Sequence, residues 1–383
     1  MVATALRRTG LCRLPPVLRR TPLLSVVVPV HDVEDYVEEA LRSILAQDHR
    51  RLEVVVVDDG STDRSGEIAD RIAAGDDRVR VVHTDNHGLG AARNEGVRHT
   101  SGDLLAFADS DDVVPPSSYS MMAAHVRRTR ADLVTGDVAR LEDGTVRPLP
   151  WVSRLHAEDR VVTIDEVPAL MGDVFAWNKV FRREFWDSAG LSWPEGTRYE
   201  DQPTSTTAFL RASRIAVTSR VVYHWRLRTD GSSITQGRAR IDDLRDRWAT
   251  KRTTLESVRS EGTPSLEVAL LDQVLPADLW RYFELIPEAD DVWWDLLVEG
   301  VRGLWGEQHS LTRSVLPPVH RLTGWLVEQG RRDDAATVII HLRGLGGRRV
   351  ARVTDVHGVR LDVPGLDPAT VSRDALAVRP AEA

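Results

Sequence analysis

Residues 53–63 read EVVVVDDGSTD, a run of β-branched residues that ends in two carboxylates and a group of small polar residues. Such a run is typical of a strand buried on both faces of a parallel sheet. Ser61, Thr62 and Asp63 are residue types that begin helices. This stretch therefore predicts a buried strand, a turn that carries acidic groups, and a helix that runs to about Ala74.

The order of strand, polar turn and helix recurs on both sides of this stretch. Further strands are predicted over residues 23–30, 78–82, 103–108 and 131–135. Further helices are predicted over residues 34–47, 88–99 and 117–128. Strands that alternate with helices form βαβ units. The predicted fold class is therefore α/β, with a mostly parallel sheet flanked by helices.

The last third of the chain has a different pattern. Apolar residues recur at helical spacing from Arg238 to about Leu342, including one predicted helix over residues 266–285. Six tryptophans lie in this part: Trp248, Trp280, Trp293, Trp294, Trp305 and Trp325. They form either the core between packed helices or an exposed surface for a sugar polymer or a partner. Residues 349–363 then predict a β-hairpin that turns near His357.

Composition excludes several classes of protein. The 383 residues carry a net charge of −8, which gives nucleic-acid binding no overall electrostatic support. Cys12 is the only cysteine, so the chain forms no internal disulfide. No apolar run reaches the length of a membrane-spanning helix. The basic residues 1–21 predict either a tail without structure or weak attachment to an anionic membrane surface.

Acidic groups follow four successive predicted strands, and they are Asp32, Asp58, Asp59, Asp85, Asp109, Asp111 and Asp112. Because open α/β sheets bind ligands at the carboxyl ends of their strands, we expect these groups to line one site. Crowded carboxylates repel one another unless a cation or hydrogen-bond donors join them. Two interpretations remain open for the motif of residues 109–112. Asp109 and Asp111 bind a cation, or the motif is a purely structural turn. Asp112 is the best candidate for the structural role.

The segment from Asn86 to Gly96 is rich in glycine and precedes a predicted helix. It is not the dinucleotide-binding fingerprint, because Arg93 stands where that pattern requires its third glycine. Arg93 could instead reach a phosphate group.

Three segments, residues 57–63, 86–96 and 109–112, resemble the nucleotide-binding half of family 2 glycosyltransferases with the GT-A fold, together with Ser25–Asp32. The resemblance covers about residues 22–235 and rests on several motifs in a fixed order. The chain departs from the family at His31 and Asp32, where tyrosine and asparagine are usual.

The resemblance implies a role for each motif of the first half. Asp58 or Asp59 would contact the nucleobase, Arg93 the nucleotide, and Asp109 the ribose. Asp109 and Asp111 would hold a divalent metal, Mn²⁺ or Mg²⁺, with Asp111 the favoured ligand. Pro29 and His31 belong to the first strand and loop that contact the nucleotide.

The second half contributes three further elements, which the resemblance also interprets. Trp177, Asn178 and Lys179 would contact the sugar or the acceptor, and a surface turn is the alternative. Asp201 of the pair Glu200–Asp201 would be the general base, and a helix cap is the alternative. Arg226, Arg228 and Ser233 would belong to a loop that closes on the diphosphate.

The function implied is transfer of a sugar, with inversion, from a nucleoside diphosphate sugar to an acceptor hydroxyl. The carrier would be UDP, and the acceptor a cell-envelope polysaccharide or a polyol phosphate such as a teichoic acid. The enzyme would be cytoplasmic, with peripheral contact at the inner face of the cell membrane. The expected domains are a tail (1–21), a catalytic domain (22–235), a helical region (236–343) that could form a homo-oligomer, and a hairpin with a flexible tail (344–383).

Two other functions remain open at this stage. The stretch Leu104–Val113 also resembles the strand and D-x-D motif of haloacid-dehalogenase-type phosphatases. That reading leaves Asp58, Asp59, Glu200 and Asp201 without a role. A nucleotide-sugar binding module without catalysis is the second alternative, because a long tryptophan-rich tail suits a larger assembly.

Overall fold

The structure, a computed structural model, describes residues 21–228, 238–306 and 309–382. Its strands are β1 (Leu24–Val30), β2 (Leu52–Asp59), β3 (Val79–Thr84), β4 (Leu104–Phe107), β5 (Leu133–Glu142), β6 (Thr145–Pro148), β7 (Arg160–Val162), β8 (Lys179–Arg182), β9 (Ile215–Arg226), β10 (Arg352–Asp355) and β11 (Gly358–Leu361).

Helices follow most of the strands and make up most of the last third. They are α1 (Val37–Leu45), α2 (Ser65–Ala73), α3 (Leu89–Arg98), α4 (Ser118–Thr129), α5 (Pro150–Leu155), α6 (Arg183–Ser188), α7 (Asp201–Arg211), α8 (Ile241–Glu261), α9 (Pro264–Ala269), α10 (Trp280–Phe283), α11 (Asp291–Leu304), α12 (Pro318–Glu328), α13 (Arg332–Gly344) and α14 (Arg373–Leu376). Short 3₁₀ turns lie at Pro168–Gly172, Ile286–Glu288, Leu311–Arg313, Pro368–Thr370 and Pro380–Glu382.

One mixed sheet forms the centre of the molecule. Its strand order is β3-β2-β1-β4-β8-β5-β9-β7, and β6 pairs with β5. Strands β1 to β4 are parallel, whereas β8 runs antiparallel to both of its neighbours, β4 and β5. The predicted α/β class is confirmed, and the parallel part of the sheet is the part whose strands alternate with helices along the chain.

The hydrophobic pattern explains the parallel half. All seven residues of β1 are buried, as expected for a central strand covered on both faces. Helix α1 buries Val37, Ala40, Leu41 and Ile44, which recur at intervals of three or four residues. The predicted elements of this half are all present, with ends that differ by a few residues.

The tail is helical from α8 to α13, as predicted, but the helix expected over residues 266–285 is interrupted. It divides into α9, a π turn at Leu270–Val274, and α10. Pro276 follows the π turn, and because proline has no backbone N–H it cannot continue a helical hydrogen-bond ladder. The hairpin is confirmed, with β10 and β11 antiparallel.

Four of the six tail tryptophans are core residues rather than part of an exposed surface. Trp248, Trp293, Trp294 and Trp305 are buried, and Trp280 and Trp325 are partly buried. Helices α8 and α11 pack closely, because a Cβ atom on Gly300 would lie about 2.1 Å from the ring of Trp248. These contacts exclude the exposed-surface alternative for those four side chains.

Helices long and apolar enough to cross a membrane are absent from the three described ranges. The expectations for the basic residues 1–20 and for Ser233 lie outside the described residues.

Candidate active site

The site lies at the carboxyl ends of the parallel strands. The chain passes from β1 to β2 and β3 on one side, and then returns to place β4 on the other side of β1. Such a reversal leaves a crevice outside the strand ends, which is where open α/β sheets bind their ligands. Strand β2 ends with Asp58 and Asp59, and the loops that follow β1 and β4 carry His31 and Asp109.

The loop after β4 is anchored to β9. The backbone N–H of Asp109 donates to the hydroxyl of Tyr223 at 2.9 Å, and Val113 forms a bridge with His224. Asp112 is buried and accepts a hydrogen bond from the backbone N–H of Arg226 at 2.7 Å. Burial raises the pKa of Asp112 well above its usual value, as do the charges of Asp111 and Asp109. Asp112 therefore has the structural role that the sequence suggested for it.

Asp111 meets two arginines from the end of β9 and the residues that follow it. The Nε atom of Arg228 donates to its Oδ2 atom at 2.7 Å, and Nε of Arg226 donates to its backbone oxygen at 2.7 Å. Burial raises the pKa of Asp111, the positive charge of Arg228 opposes that shift, and the charge of Asp109 adds to it. The structure thus brings Asp111 together with Arg226 and Arg228, while the predicted metal and diphosphate contacts of these residues stay predictions.

Arg93, on α3, is the link between the two halves of the site. Its guanidinium donates to Asp109 at 2.8 Å and to the carboxylate of Glu200, and it lies 5.0 Å from the ring centre of Trp193. Only 2% of Arg93 is exposed. A buried charge of this kind is stable only when it is paired, and here two carboxylates pair with it.

The two carboxylates at the end of β2 hold the loops of the expected nucleobase site. Both oxygens of Asp59 accept from backbone N–H groups, at 2.9 Å from His87 and 2.8 Å from Gly88. Asp58 accepts from the backbone of Ser61 at 3.2 Å and contacts the imidazole of His83 at 2.8 Å. Each carboxylate oxygen keeps a second lone pair, which can accept a hydrogen bond from a nucleobase. That contact stays a prediction for both residues.

His31 lies beside these carboxylates, on the loop after β1. Its Nδ1 atom donates to the backbone oxygen of Asp59 at 3.0 Å, and the Asn86 amide donates to its Nε2 at 3.1 Å. Gly60, with φ of +70°, allows the turn to pass close to Asn86. Pro29 is buried within β1 and is paired with Val57, so its contact with the nucleotide stays a prediction.

The pair Glu200–Asp201 lies at the start of α7. Glu200 is buried against Arg93. Burial raises the pKa of Asp201 to about 7, and the charge of Glu200 adds to the shift, while Arg93 and Arg247 oppose it. A carboxylate with a pKa near neutrality can take up a proton during a reaction and release it afterwards.

Two members of the Trp177–Lys179 motif do not match their predicted role. Asn178 and Lys179 are 0% and 1% exposed, and they bond to each other and to the buried carboxylate of Asp173. They are therefore structural residues, and neither a sugar contact nor the alternative surface turn fits them. Trp177 is also mostly buried and stacks on Tyr223, with ring centres 4.2 Å apart.

Sequence reasoning missed two aromatic residues of the site. The ring of Tyr36, on the loop before α1, lies 5.4 Å from the guanidinium of Arg226 and 5.3 Å from that of Arg228. Trp193 packs under Arg93 in the same way. No motif surrounds either residue, so only their position in the fold identifies them.

Comparison with known proteins identifies the family of the chain. The family described as Glycosyl transferase family 2 matches residues 25–187. The glycosyltransferase GlyG of Streptococcus pneumoniae is 30% identical over 217 residues, which are 54% of this chain and 71% of GlyG. The uncharacterized glycosyltransferase EpsJ of Bacillus subtilis is 33% identical over 214 residues, but the match spans only 61% of EpsJ. These matches leave no support for the phosphatase alternative.

A solved structure extends the likeness to the tail. Residues 1–349 of S. aureus TarS, in complex with UDP-GlcNAc, superpose with a TM-score of 0.71 at 20% identity. The superposition covers 90% of this chain and 98% of that fragment. The two chains therefore share a fold that includes most of the helical tail.

Proposed function

Because the chain belongs to glycosyl transferase family 2, we propose that it transfers a sugar from a nucleoside diphosphate sugar to an acceptor hydroxyl. The observation that carries the proposal is the guanidinium of Arg93, which joins Asp109 at the end of β4 to Glu200 beside Asp201. That contact brings a site suited to a diphosphate next to a carboxylate suited to proton transfer.

A uridine diphosphate sugar is the first donor to test. TarS was solved with UDP-GlcNAc and with UDP, and its fold matches 90% of this chain. Arg226 and Arg228 supply positive charge beside Asp111, where the proposal puts the diphosphate.

The donor set around Asp111 fits a divalent cation. Carboxylate oxygens are the ligands that Mg²⁺ and Mn²⁺ prefer. Within the described residues no group of three or more His, Cys, Asp or Glu side chains could hold a metal alone. Asp109 and Asp111 would therefore share the cation with the diphosphate, as Mg²⁺ sites with one or two carboxylates do. A bound cation would neutralise charge that develops on the departing diphosphate.

Asp201 would act as the general base. The acceptor hydroxyl would give its proton to Asp201 while its oxygen bonds to the anomeric carbon, and the bond to the diphosphate breaks on the opposite face. Displacement from the opposite face inverts the anomeric centre. Arg93 pairs with Glu200, and the charge of Glu200 helps to keep the pKa of Asp201 high enough for proton uptake.

The proposed acceptor is a hydroxyl-bearing polymer of the bacterial cell envelope, glycosylated in the cytoplasm at the inner face of the membrane. The support is the resemblance of the Glu-Asp and Arg-x-Arg elements to enzymes that modify such polymers. Because Asn178 and Lys179 are buried, the acceptor would contact other residues of the crevice.

We expect the rate of transfer to rise with pH and to level off above about pH 7. Asp201 works only when it is deprotonated, and its pKa is about 7 rather than near 4. The measurement is kcat for a UDP-sugar from about pH 5 to 9, with UDP affinity followed over the same range. A flat kcat over that range, with unchanged UDP affinity, would exclude Asp201 as the base.

We expect Mn²⁺ to strengthen UDP binding by about tenfold, and Asp111→Ala to remove that gain. Titration calorimetry with and without Mn²⁺ measures both effects. Asp103→Ala is the matched control, because Asp103 precedes β4 at the opposite edge of the sheet and its side chain accepts a hydrogen bond from the backbone of Leu23. Equal metal effects in both variants would remove Asp111 from the metal site.

A further inference from the structure

The residues that lead into α7 have an unusual backbone. Tyr199 has φ of +62°, in the left-handed region that side chains other than glycine rarely adopt. Glu200 and Asp201 follow it directly. A residue held in such a conformation persists only when its surroundings determine it, and such residues cluster at functional sites.

One face of helix α8 holds this segment. The residues of that face recur at intervals of three or four and are Asp243, Asp246, Arg247 and Thr250. The hydroxyl of Tyr199 donates to Asp243 at 2.9 Å. The Arg198 side chain pairs with Asp246 at 3.0 Å.

The hydrogen bond to Asp243 is made in the protein interior. Asp243 is 1% exposed, and its other oxygen accepts from the hydroxyl of Tyr282 at 3.0 Å. The two oxygens of Asp243 therefore hold the hydroxyl groups of two tyrosines in a site that is closed to water. The ring of Tyr199 is therefore held at its outer end by a fixed group of the tail.

Arg247 holds the same segment from two sides. Its guanidinium lies 4.6 Å from the ring centre of Tyr199, and its Nη1 atom donates to Gln202 at 3.0 Å. Asp278 fixes that guanidinium through an ion pair and also pairs with Lys251. Tyr199 and Gln202, the residues on either side of Glu200–Asp201, thus both contact one arginine of the helical tail.

We propose that helix α8 positions the catalytic carboxylate, with Tyr199, Asp243 and Arg247 as the positioning residues. The inference rests on the proposed role of Asp201 as general base. It assigns the tail a part in catalysis: contacts from α8 keep Tyr199 in its left-handed conformation, and that conformation sets the direction in which α7 begins.

The test compares two variants of the segment with a matched control. Tyr199→Phe removes only the hydroxyl that bonds to Asp243, and Asp243→Ala removes its acceptor. Glu261→Ala is the control, because Glu261 joins α8 to Arg211 of α7 at the far end of the same pair of helices. UDP-GlcNAc hydrolysis measures the chemistry without an identified acceptor, and hydrogen–deuterium exchange reports on residues 198–203.

We expect Tyr199→Phe and Asp243→Ala to lower kcat by about ten- to a hundredfold, since a small misplacement of a catalytic group has effects of this size. The KM for UDP-GlcNAc and the affinity for UDP should stay within about twofold, because the nucleotide site is on the strand ends. Exchange should rise in residues 198–203 of both variants. Glu261→Ala should match the wild type in kcat and in the exchange of this segment.

Three results would overturn the inference. They are an unchanged kcat in Tyr199→Phe, an equal loss of kcat in Glu261→Ala, and unchanged exchange in residues 198–203. Failure of the proposed function has a different signature, in which Asp201→Asn hydrolyses UDP-GlcNAc as fast as the wild type does. The exchange measurement then still decides whether α8 holds the segment.

Discussion

Asp201→Asn is expected to lower the rate of sugar transfer by about a thousandfold, within the range that general bases contribute. An amide has nearly the shape of a carboxylate but cannot take the proton of the acceptor hydroxyl. UDP affinity should change by no more than about twofold, since Asp201 lies on α7 and not on the strand ends that would bind the nucleotide. The measurement is initial rate together with UDP titration on the same preparation.

The environment of Asp201 makes this variant a clean test. The side chain is partly buried next to Glu200, and burial together with the charge of Glu200 raises its pKa to about 7. A neutral amide removes the repulsion between the two carboxylates, so the fold should be at least as stable as in the wild type. A loss of activity therefore cannot be assigned to unfolding, and thermal denaturation checks this point.

Asp187→Asn is the matched control for this experiment. Asp187 lies on α6, is largely exposed, and pairs with Arg183. The same chemical change there should leave transfer unaffected. Full activity in Asp201→Asn with normal UDP binding would contradict the assignment of the base, whereas absence of UDP binding in the wild type would contradict the donor site itself.

Lys179→Met is expected to lower the free energy of unfolding by about 3–5 kcal/mol, the usual cost of removing one partner of a buried ion pair. The side chains of Lys179 and Asp173 are both 0% exposed, with Nζ and Oδ1 3.0 Å apart. Burial alone would raise the pKa of Asp173, but Lys179 and His156 hold it below its usual range. Without Lys179 the carboxylate loses its cation in a site that water does not reach.

Chemical denaturation of three variants measures this effect. Arg42→Met removes an exposed cation that pairs with Glu38 on α1, and it should cost no more than about 1 kcal/mol. Lys179→Met combined with Asp173→Asn should recover part of the stability, because the uncompensated charge is gone. If the Lys179→Met variant is stable but binds the donor or the acceptor weakly, that result would contradict the structural role. It would support the contact of Lys179 with the sugar or the acceptor that the sequence suggested.

Much of the catalytic half follows from local pattern. Continuous apolar runs predicted β1, β2 and β4, and helical spacing predicted α1, because burial on one or both faces imposes those periods. The same patterns predicted that Asp58, Asp59, Asp109 and Asp111 lie at one edge of the sheet, since parallel strands bring their carboxyl ends together. Most tail helices were predicted for the same reason.

What the sequence alone determined about this protein is therefore the α/β class, the order of its elements and the edge that carries the acidic groups. The tertiary structure alone decided the direction and the partners of side chains within each motif. Lys179 looked like a ligand contact, but β8 lies inside the sheet and encloses it. Arg93 meets Glu200, which is 107 residues away in the chain, and Tyr199 meets α8. Such contacts join distant segments, and local periodicity carries no information about them because they form only when the elements pack together.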